Sequence, residues 1–491
     1  MMINADNSRL LYSVLLSCIA LLPCQQVRAA NDEPNVVIIL VDDMGYGDPG
    51  CYNAESKIPT PHIDSIARDG IKFTDAHAPG PLCHLSRYGL LTGRYPFRAK
   101  VGAWRDGPTI TDQQVTLPAF LKAAGYDTAM VGKWHLGFAE NGYDKAMLGG
   151  PVHRGFDSFF GIPASTDIPP YFYIRGDRAV AAPSNRIEAN NSDGWSPIQG
   201  AFWRAGGIAP DLTLKGVLPR FTNEAVDVIA AHGKKDKADR APLMLYLAYP
   251  APHTPWLPSP EFVGKSGADM YGDFMMMVDH NIGQVLHAID ESGLSDDTLL
   301  VFTSDNGPTW YDKDVKRFGH DSSGGLRGMK ADAWEAGHRM PFVVRWPGRV
   351  QAGSTSDRLI SFVDIYATLA AILKQPLPAT AAPDSFDFHD ALLQKPSADT
   401  VARRVLPLQS GTGMMTIRSG DWKLIQGLGS GGFSQPRKIQ PQPGGPIGQL
   451  FNLKTDLAEK QNVYAESPAV VAELSAVLEQ VKTAIGHRLM K

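Results

Sequence analysis

Asn35–Gly45 reads N-V-V-I-I-L-V-D-D-M-G. From Val36 to Val41 every residue is aliphatic and most are β-branched. A short, continuous apolar run of this kind reads as a strand covered on both faces, the mark of a parallel sheet in an α/β domain. It stops on two adjacent carboxylates, Asp42 and Asp43. Open α/β sheets place their ligand sites at the carboxyl ends of strands, and paired carboxylates there suit a hard cation. D-D-x-G would serve equally as a turn with a helix cap. The pattern of strand then polar set recurs down the chain. Tyr126–Val131 leads into G-K-W-H-L-G at 132–137, presenting Lys133 and His135. Pro242–Ala248 leads into P-A-P-H-T-P at 250–255, presenting His253. Thr298–Thr303 leads into S-D-N-G at 304–307, presenting Asp305 and Asn306. Helical stretches at Thr60–Gly70, Leu117–Gly125, Phe221–Ala231 and Tyr271–Ser292 alternate with these strands. The alternation predicts an α/β fold, a mostly parallel sheet sandwiched by helices.

Pro81–Arg94, P-L-C-H-L-S-R-Y-G-L-L-T-G-R, places a cysteine ahead of an apolar helical run that stops at Thr92-Gly93. Gly is the commonest residue just past a helix end. Cys83 therefore falls at or near a helix N-terminus, where free N–H groups and the dipole favour an anion. Arg87, one turn on, offers a planar donor fork to the same point. A buried structural cysteine is the alternative. The segment resembles the signature of the type I sulfatases, C-x-P-S-R followed by L-T-G-R. Cys83, Ser86, Arg87, Leu91, Thr92, Gly93 and Arg94 match. Leu85 stands where the family has proline or alanine, a position read by the enzyme that converts the cysteine. G-K-W-H-L-G also matches the family. Gly324–Gly337, G-G-L-R-G-M-K-A-D-A-W-E-A-G, resembles its L-R-G-G-K segment, with Lys330 on the active-site lysine and Met329 replacing a glycine.

The resemblance implies a large mixed sheet of the alkaline phosphatase type, with a smaller C-terminal α+β subdomain. It implies a sulfuric ester hydrolase acting through formylglycine, made from Cys83 by a formylglycine-generating enzyme. One Ca2+ per chain would be held by Asp42, Asp43, Asp305 and Asn306 beside the modified Cys83. Arg87, Lys133 and Lys330 would stabilise charge on the sulfuryl oxygens, and His135 would orient the formylglycine diol. His253 is the first choice as general acid to the leaving oxygen, with Lys330 second. The block around His253 is similar to that of the N-acetylgalactosamine-6-sulfatase and arylsulfatase A types, which points to a sulfated carbohydrate substrate. A phosphoesterase or phosphonate hydrolase of the same superfamily is the competing enzyme reading. A sulfated-glycan binding protein with an unconverted Cys83 is the non-enzyme reading.

The remaining sequence bounds these readings. The 491 residues, 43% hydrophobic and 20% charged, are those of an ordinary globular protein. Lys+Arg 47 against Asp+Glu 51, a net charge of -4, gives no basic excess for nucleic acid. Arg9 precedes the apolar run Leu10–Leu22, too short to span a bilayer, and Val27-Arg28-Ala29 offers a cleavage site. Residues 1–30 are thus expected to be a signal peptide and the protein to be exported, periplasmic or secreted, with no transmembrane segment. Removal of Cys18 and Cys24 with that peptide leaves Cys51 and Cys83, expected to be unpaired. Residues 31–375 are expected to form the catalytic domain. Within them, Gly149–Gly216 has little periodicity and reads as a long substrate-facing excursion. Trp104, Arg105, Arg154, Trp203 and Arg204 are candidate sugar-binding residues, since aromatic faces stack on sugars and arginines pair with anions. Pro376–Pro383 reads as a linker. Residues 376–491 then form the C-terminal subdomain, with a hairpin around S-G-D at 419–421 and a terminal amphipathic helix.

Overall fold

The computed structural model describes residues 33–139, 142–395 and 401–489. The expected signal peptide, with Cys18 and Cys24, lies outside them. Strand β1 (Asn35–Asp42) is buried along its whole length. The parallel core that covers its edges adds β2 (Asp127–Lys133), β3 (Ser158–Ile162), β4 (Leu243–Pro252) and β5 (Thr298–Ser304). In space β1 lies between β5 and β4, with β2 beyond β4 and β3 beyond β2. Val37 pairs with Leu245 on one side and Leu300 on the other. That register brings the ends Asp42, Lys133, His253 and Asp305 to one edge, so sheet geometry collects residues far apart in sequence. Phe342–Arg345 runs antiparallel beside β5, and short strands complete ten in all. The sheet is therefore mixed and mostly parallel.

Two sets of helices cover the sheet. One is α1 (Pro61–Arg68), α3 (Val217–Gly233) and α4 (Asp269–Glu291). The other groups α2 (Cys83–Thr92) with the helices Leu117–Ala123 and Asp364–Ile372. On α4, Met275 and Met277 are buried with Val278, Ile282 and Val285, as core filling rather than ligands. Helix α2 begins at Cys83 itself and ends on Gly93 in the left-handed conformation, φ 59°.

The Gly149–Gly216 stretch departs from expectation. It contains β3, the fifth parallel strand, followed by an edge hairpin at Ile174–Arg175 and Arg178–Ala179. Only five residues, S-F-F-G-I, make β3, too few to stand out as a period in a Gly- and Pro-rich background. The stretch Pro376–Pro383 is not loose either, since Ala381 and Ala382 are buried in the main core. A four-stranded antiparallel sheet follows: β6 (Val405–Gln409), β7 (Met415–Ser419), β8 (Trp422–Ile425) and β9 (Gln449–Asn452). Helix α5 (Pro468–Thr483) packs Leu474, Leu478 and Val481 against Ile417, Leu424 and Leu450 of that sheet. Cys51 and Cys83 are both free. No helix of the described residues is long and apolar enough to cross a membrane.

Candidate active site

Asp42, Asp43, Asp305 and Asn306 meet where β1 and β5 end. All are buried, the first, third and fourth at 0% exposure. Such burial demands compensating charge, and three cations supply it. Arg87 Nε donates to Asp305 Oδ2 at 2.9 Å, Nη2 to Asp42 Oδ2 at 3.1 Å and Nη1 to the Lys133 carbonyl at 2.8 Å. Lys133 Nζ donates to Asp42 Oδ2. Lys330 Nζ lies 2.6 Å from Asp43 Oδ1 and 2.8 Å from its Oδ2. The sequence places Arg87 and Lys133 on an oxyanion; in the structure Arg87 spends its donors on Asp305, Asp42 and the Lys133 carbonyl, Lys133 bonds Asp42, and neither lines the cavity. The helix turns Arg87 toward the strand ends, where the uncompensated charge is. Asn306 Nδ2 donates to Asp43 Oδ1 at 2.7 Å.

The electrostatics follow from this crowding. Burial alone would raise Asp42, but Lys133, His253, Arg87 and Lys330 outweigh it and hold the carboxyl far below its usual range. Asp305 is pushed up to about 6, by burial first and then by the Asp42 charge. Burial would lower Lys330, but Asp43, Cys83 and Asp42 outweigh it and hold its proton above the ordinary lysine range. Two oxygens of the set, Asp42 Oδ1 and Asn306 Oδ1, are buried without a hydrogen-bond partner. An all-oxygen set with unsatisfied buried oxygens and repelling carboxylates fits a hard divalent cation. Oxygen, nitrogen and sulfur atoms of Asp42, Asp43, Cys83 and His253 all lie within 4.8 Å of one another.

Cys83 and Lys330 line a cavity of about 250 Å³, as do Asp43, His135 and His253. Burial, then the Asp42 charge, pushes the Cys83 thiol up to about 12. His253 Nδ1 lies 2.6 Å from the Thr254 carbonyl, which fixes it as the N–H and leaves Nε2, 3.7 Å from Asp43 Oδ2, toward the cavity. His135 has a positive φ of 59° and Asp43 one of 66°, strained backbone of the kind that gathers at functional sites. The His135 Nδ1 is buried without a partner. Burial and then Lys133 hold this imidazole neutral, well below its ordinary value. Its ring stands edge-on to Trp104, centroids 4.5 Å apart.

Of the candidate sugar-binding residues, Trp104, Arg105 and Arg204 line the cavity. Arg154 does not: its guanidinium serves the Ile110 and His153 carbonyls and lies 2.7 Å from Asp112. Trp203 does not either, since its indole N–H bonds the Glu188 carbonyl at 2.8 Å. Sequence reasoning missed His84, Asp167 and Phe433, which do line it. His84 was inside the quoted signature and could have been flagged by helical position; Asp167 and Phe433 lie in irregular loops with no periodic signal. Arg204 pairs with Asp167, whose Oδ1 lies 3.9 Å from His253 Nδ1. A larger cleft, about 670 Å³, lies around Arg94, Arg98 and Lys100. It contains none of the strand-end residues, so the chemistry belongs to the smaller cavity.

A second buried cluster, His77, Glu335 and His338, has metal-ligand spacing. Lys423 of β8 reaches into it, its Nζ 2.9 Å from Glu335 Oε1 and 3.2 Å from His338 Nε2. The ammonium thus occupies the cation position.

A sulfatase family model matches residues 34–374. The chain belongs to the sulfatase family. It is 36% identical to an N-acetylgalactosamine-6-O-sulfatase of Bacteroides thetaiotaomicron, over 96% of this chain and 98% of that one. It is also 36% identical to human arylsulfatase A, over 73% of this chain and 68% of that one. A solved Bacteroides thetaiotaomicron sulfatase, described with the metabolism of multiple glycosaminoglycans, superposes with a TM-score of 0.80 at 34% identity, covering 92% of this chain and all of that one. A Pseudoalteromonas sulfatase superposes with a TM-score of 0.70 at 25% identity, over 91% of this chain and 89% of that one. This sulfatase is accordingly a sulfuric ester hydrolase.

Proposed function

We propose that this sulfatase removes O-sulfate from a galacto-configured sugar of the N-acetylgalactosamine type, acting at a chain end. The full-length relationship to the N-acetylgalactosamine-6-O-sulfatase carries this reading. The small cavity supports it: about 250 Å³ is below the usual range of ligand pockets and suits one terminal sugar rather than a threaded polymer. Export to the periplasm or medium, where such glycans are met, belongs to the same proposal.

Asp42, Asp43, Asp305 and Asn306 would hold calcium, as their oxygen donors and the unsatisfied Asp42 Oδ1 and Asn306 Oδ1 favour. A bound divalent cation lowers the pKa of an oxygen beside it. Formylglycine at position 83 would supply, as its hydrate, an oxygen nucleophile toward sulfur. The chain's other residues have separable tasks. The carboxylates of Asp42, Asp43 and Asp305 are matched in charge by Arg87, Lys133 and Lys330, so a divalent ion leaves the set net positive, as an anionic ester requires. Arg87 and Lys133 position Asp42 and Asp305. Lys330, whose charge Asp43 fixes, stabilises charge on the sulfuryl oxygens. A lysine that holds its proton so firmly is a poor proton donor, which favours His253 as the general acid: with Nδ1–H held by Thr254, the doubly protonated ring would give its Nε2 proton to the leaving oxygen. His135, neutral and with a free Nδ1, orients the diol. The test is sulfate release from defined monosulfated sugars by protein whose Cys83 is converted. Release from 6-sulfated N-acetylgalactosamine ahead of its gluco-configured counterpart is expected. Turnover of aryl sulfates with no release from any sugar overturns the substrate assignment.

A further inference from the structure

Among the described residues, Phe433 is the one C-terminal to position 376 that lines the catalytic cavity. It brings an apolar ring to a wall that carries Asp43, Lys330, His253 and Arg204 as well as the apolar side chains of Leu82, Trp104, Ile168 and Ile198. The ring is half-buried and belongs to none of the hydrophobic clusters of the described residues. It is therefore not core filling, and an aromatic face left toward the cavity has packing energy still to gain.

The backbone that carries it is held fast. A Cβ on Gly432 would come within 2.3 Å of the Ala331 carbonyl carbon and 2.4 Å of the Asp332 nitrogen. The loop thus lies directly on the peptide that follows Lys330, and no side chain fits between. Ser434 N donates to Asp332 Oδ1 at 3.1 Å, while Asp332 Oδ2 accepts from Met329 N at 2.9 Å. One carboxylate so ties the Phe433 loop to the Lys330 loop. Ala333 N donates to the Ser430 carbonyl at 2.8 Å, and Arg437 Nε to the Gly432 carbonyl at 2.7 Å. A ring presented from a backbone fixed this way loses little entropy on binding.

We propose that Phe433 is a specificity-determining residue, the platform on which the apolar C–H face of the sugar packs once its sulfate is seated at Cys83. The inference rests on the substrate reading above. There the leaving oxygen lies by His253 and Lys330, so the sugar emerges beside the Lys330 loop, where Phe433 stands.

The test compares wild type, Phe433→Ala, Phe433→Leu and Phe433→Trp, all with Cys83 converted. Three quantities are read: KM and kcat on 6-sulfated N-acetylgalactosamine, and the inhibition constant of inorganic sulfate. Phe433→Ala is expected to raise KM about ten-fold with kcat within about two-fold, the pattern of lost uniform binding. Phe433→Trp should keep KM near wild type and Phe433→Leu should fall between. Sulfate inhibition should not move, because sulfate uses the inner charged set alone. If Phe433→Ala does not fold, the Leu variant gives the same reading. Unchanged KM in Ala or Leu overturns the platform, and so does a parallel rise in the sulfate inhibition constant. A wild type that cleaves no sugar sulfate removes the substrate reading and the platform with it; a cleaving wild type with an indifferent Phe433 removes the platform alone.

Discussion

His253 and Lys330 both approach the place where a leaving oxygen must be protonated, and their surroundings separate them. Lys330 bonds both oxygens of Asp43 and holds its proton above the ordinary range. His253 donates Nδ1–H to Thr254 and turns Nε2 to the cavity, so its doubly protonated form presents an Nε2 proton there. His253→Ala should therefore slow esters of poor leaving groups about 100-fold or more, while activated aryl sulfates lose less than about ten-fold. Equal losses on both would move the acid role to Lys330. Leu85 poses a different residue-scale question. It is the third residue of α2, where backbone N–H groups have no acceptor within the helix. Proline is tolerated in that first turn, so Leu85→Pro should fold, at a cost of about 2 kcal/mol for the lost buried side chain. Proline also narrows the unfolded segment toward the extended form expected of the converting enzyme's substrate. The formylglycine fraction at Cys83 should rise, with turnover per molecule rising in parallel. Peptide mass spectrometry beside a rate assay checks both, and a higher rate at constant conversion would break the link.

Between elements, the contact of the C-terminal sheet with the Lys330 loop runs through buried charge. Lys423 Nζ donates to Glu335 Oε1 and to His338 Nε2, which leaves His338 Nδ1 to donate to His77 Nδ1 at 3.0 Å, and His77 Nε2 to donate to Asp75 at 2.9 Å. Each histidine is neutral in one tautomer, and a further proton would set N–H against N–H. Lys423 Nζ also lies 2.9 Å from Glu459 Oε1, so its ammonium stands between two buried carboxylates. Lys423→Met should cost about 3–5 kcal/mol, because it strands a buried carboxylate; thermal melting measures it. The pH dependence has a definite sign. Burial and Lys423 hold His338 well below 6.5, and burial lowers His77. The unfolded chain then binds more protons than the native one below about 6.5, so stability falls as pH drops. Glu459, raised by burial to about 7, opposes this. His338→Gln isolates one contribution: its stability should fall less steeply than wild type from pH 6.5 to 5, by up to about 1.4 kcal/mol per pH unit. Parallel slopes would show that His338 is not the group that titrates. None of this network was legible in the sequence. Its members come from four separate segments, and Lys423 reads there as an ordinary hairpin lysine.

For the whole molecule, legibility followed the sheet. Four of the five parallel strands announced themselves by an apolar run, and each strand-end residue by standing just past one, so the carboxylates, Lys133 and His253 could be placed before their distances were known. Position alone did not say where a side chain would spend its donors, which is why Arg87 faces Asp42 and Asp305 rather than the cavity. Phe433, Asp167 and β3 lay in stretches whose structure comes from tertiary contact instead of local pattern. The same convergence makes a prediction about the whole fold. Strand ends from residues 42, 133 and 305 share one buried patch, and Asp305 is raised by burial and by the charge of Asp42. A divalent cation relieves that repulsion and satisfies the unpartnered oxygens of Asp42 and Asn306. Ion binding to the native state alone also stabilises it by mass action, about 2.7 kcal/mol at a hundred-fold excess over Kd. Chelation should therefore abolish turnover and lower the melting temperature by several degrees. Calcium should restore both, and Asp305→Ala should melt low whether or not calcium is added. Elemental analysis should find one calcium per chain before chelation. Protein that carries no ion, and melts and turns over the same with or without chelator, would overturn the calcium assignment at these four residues.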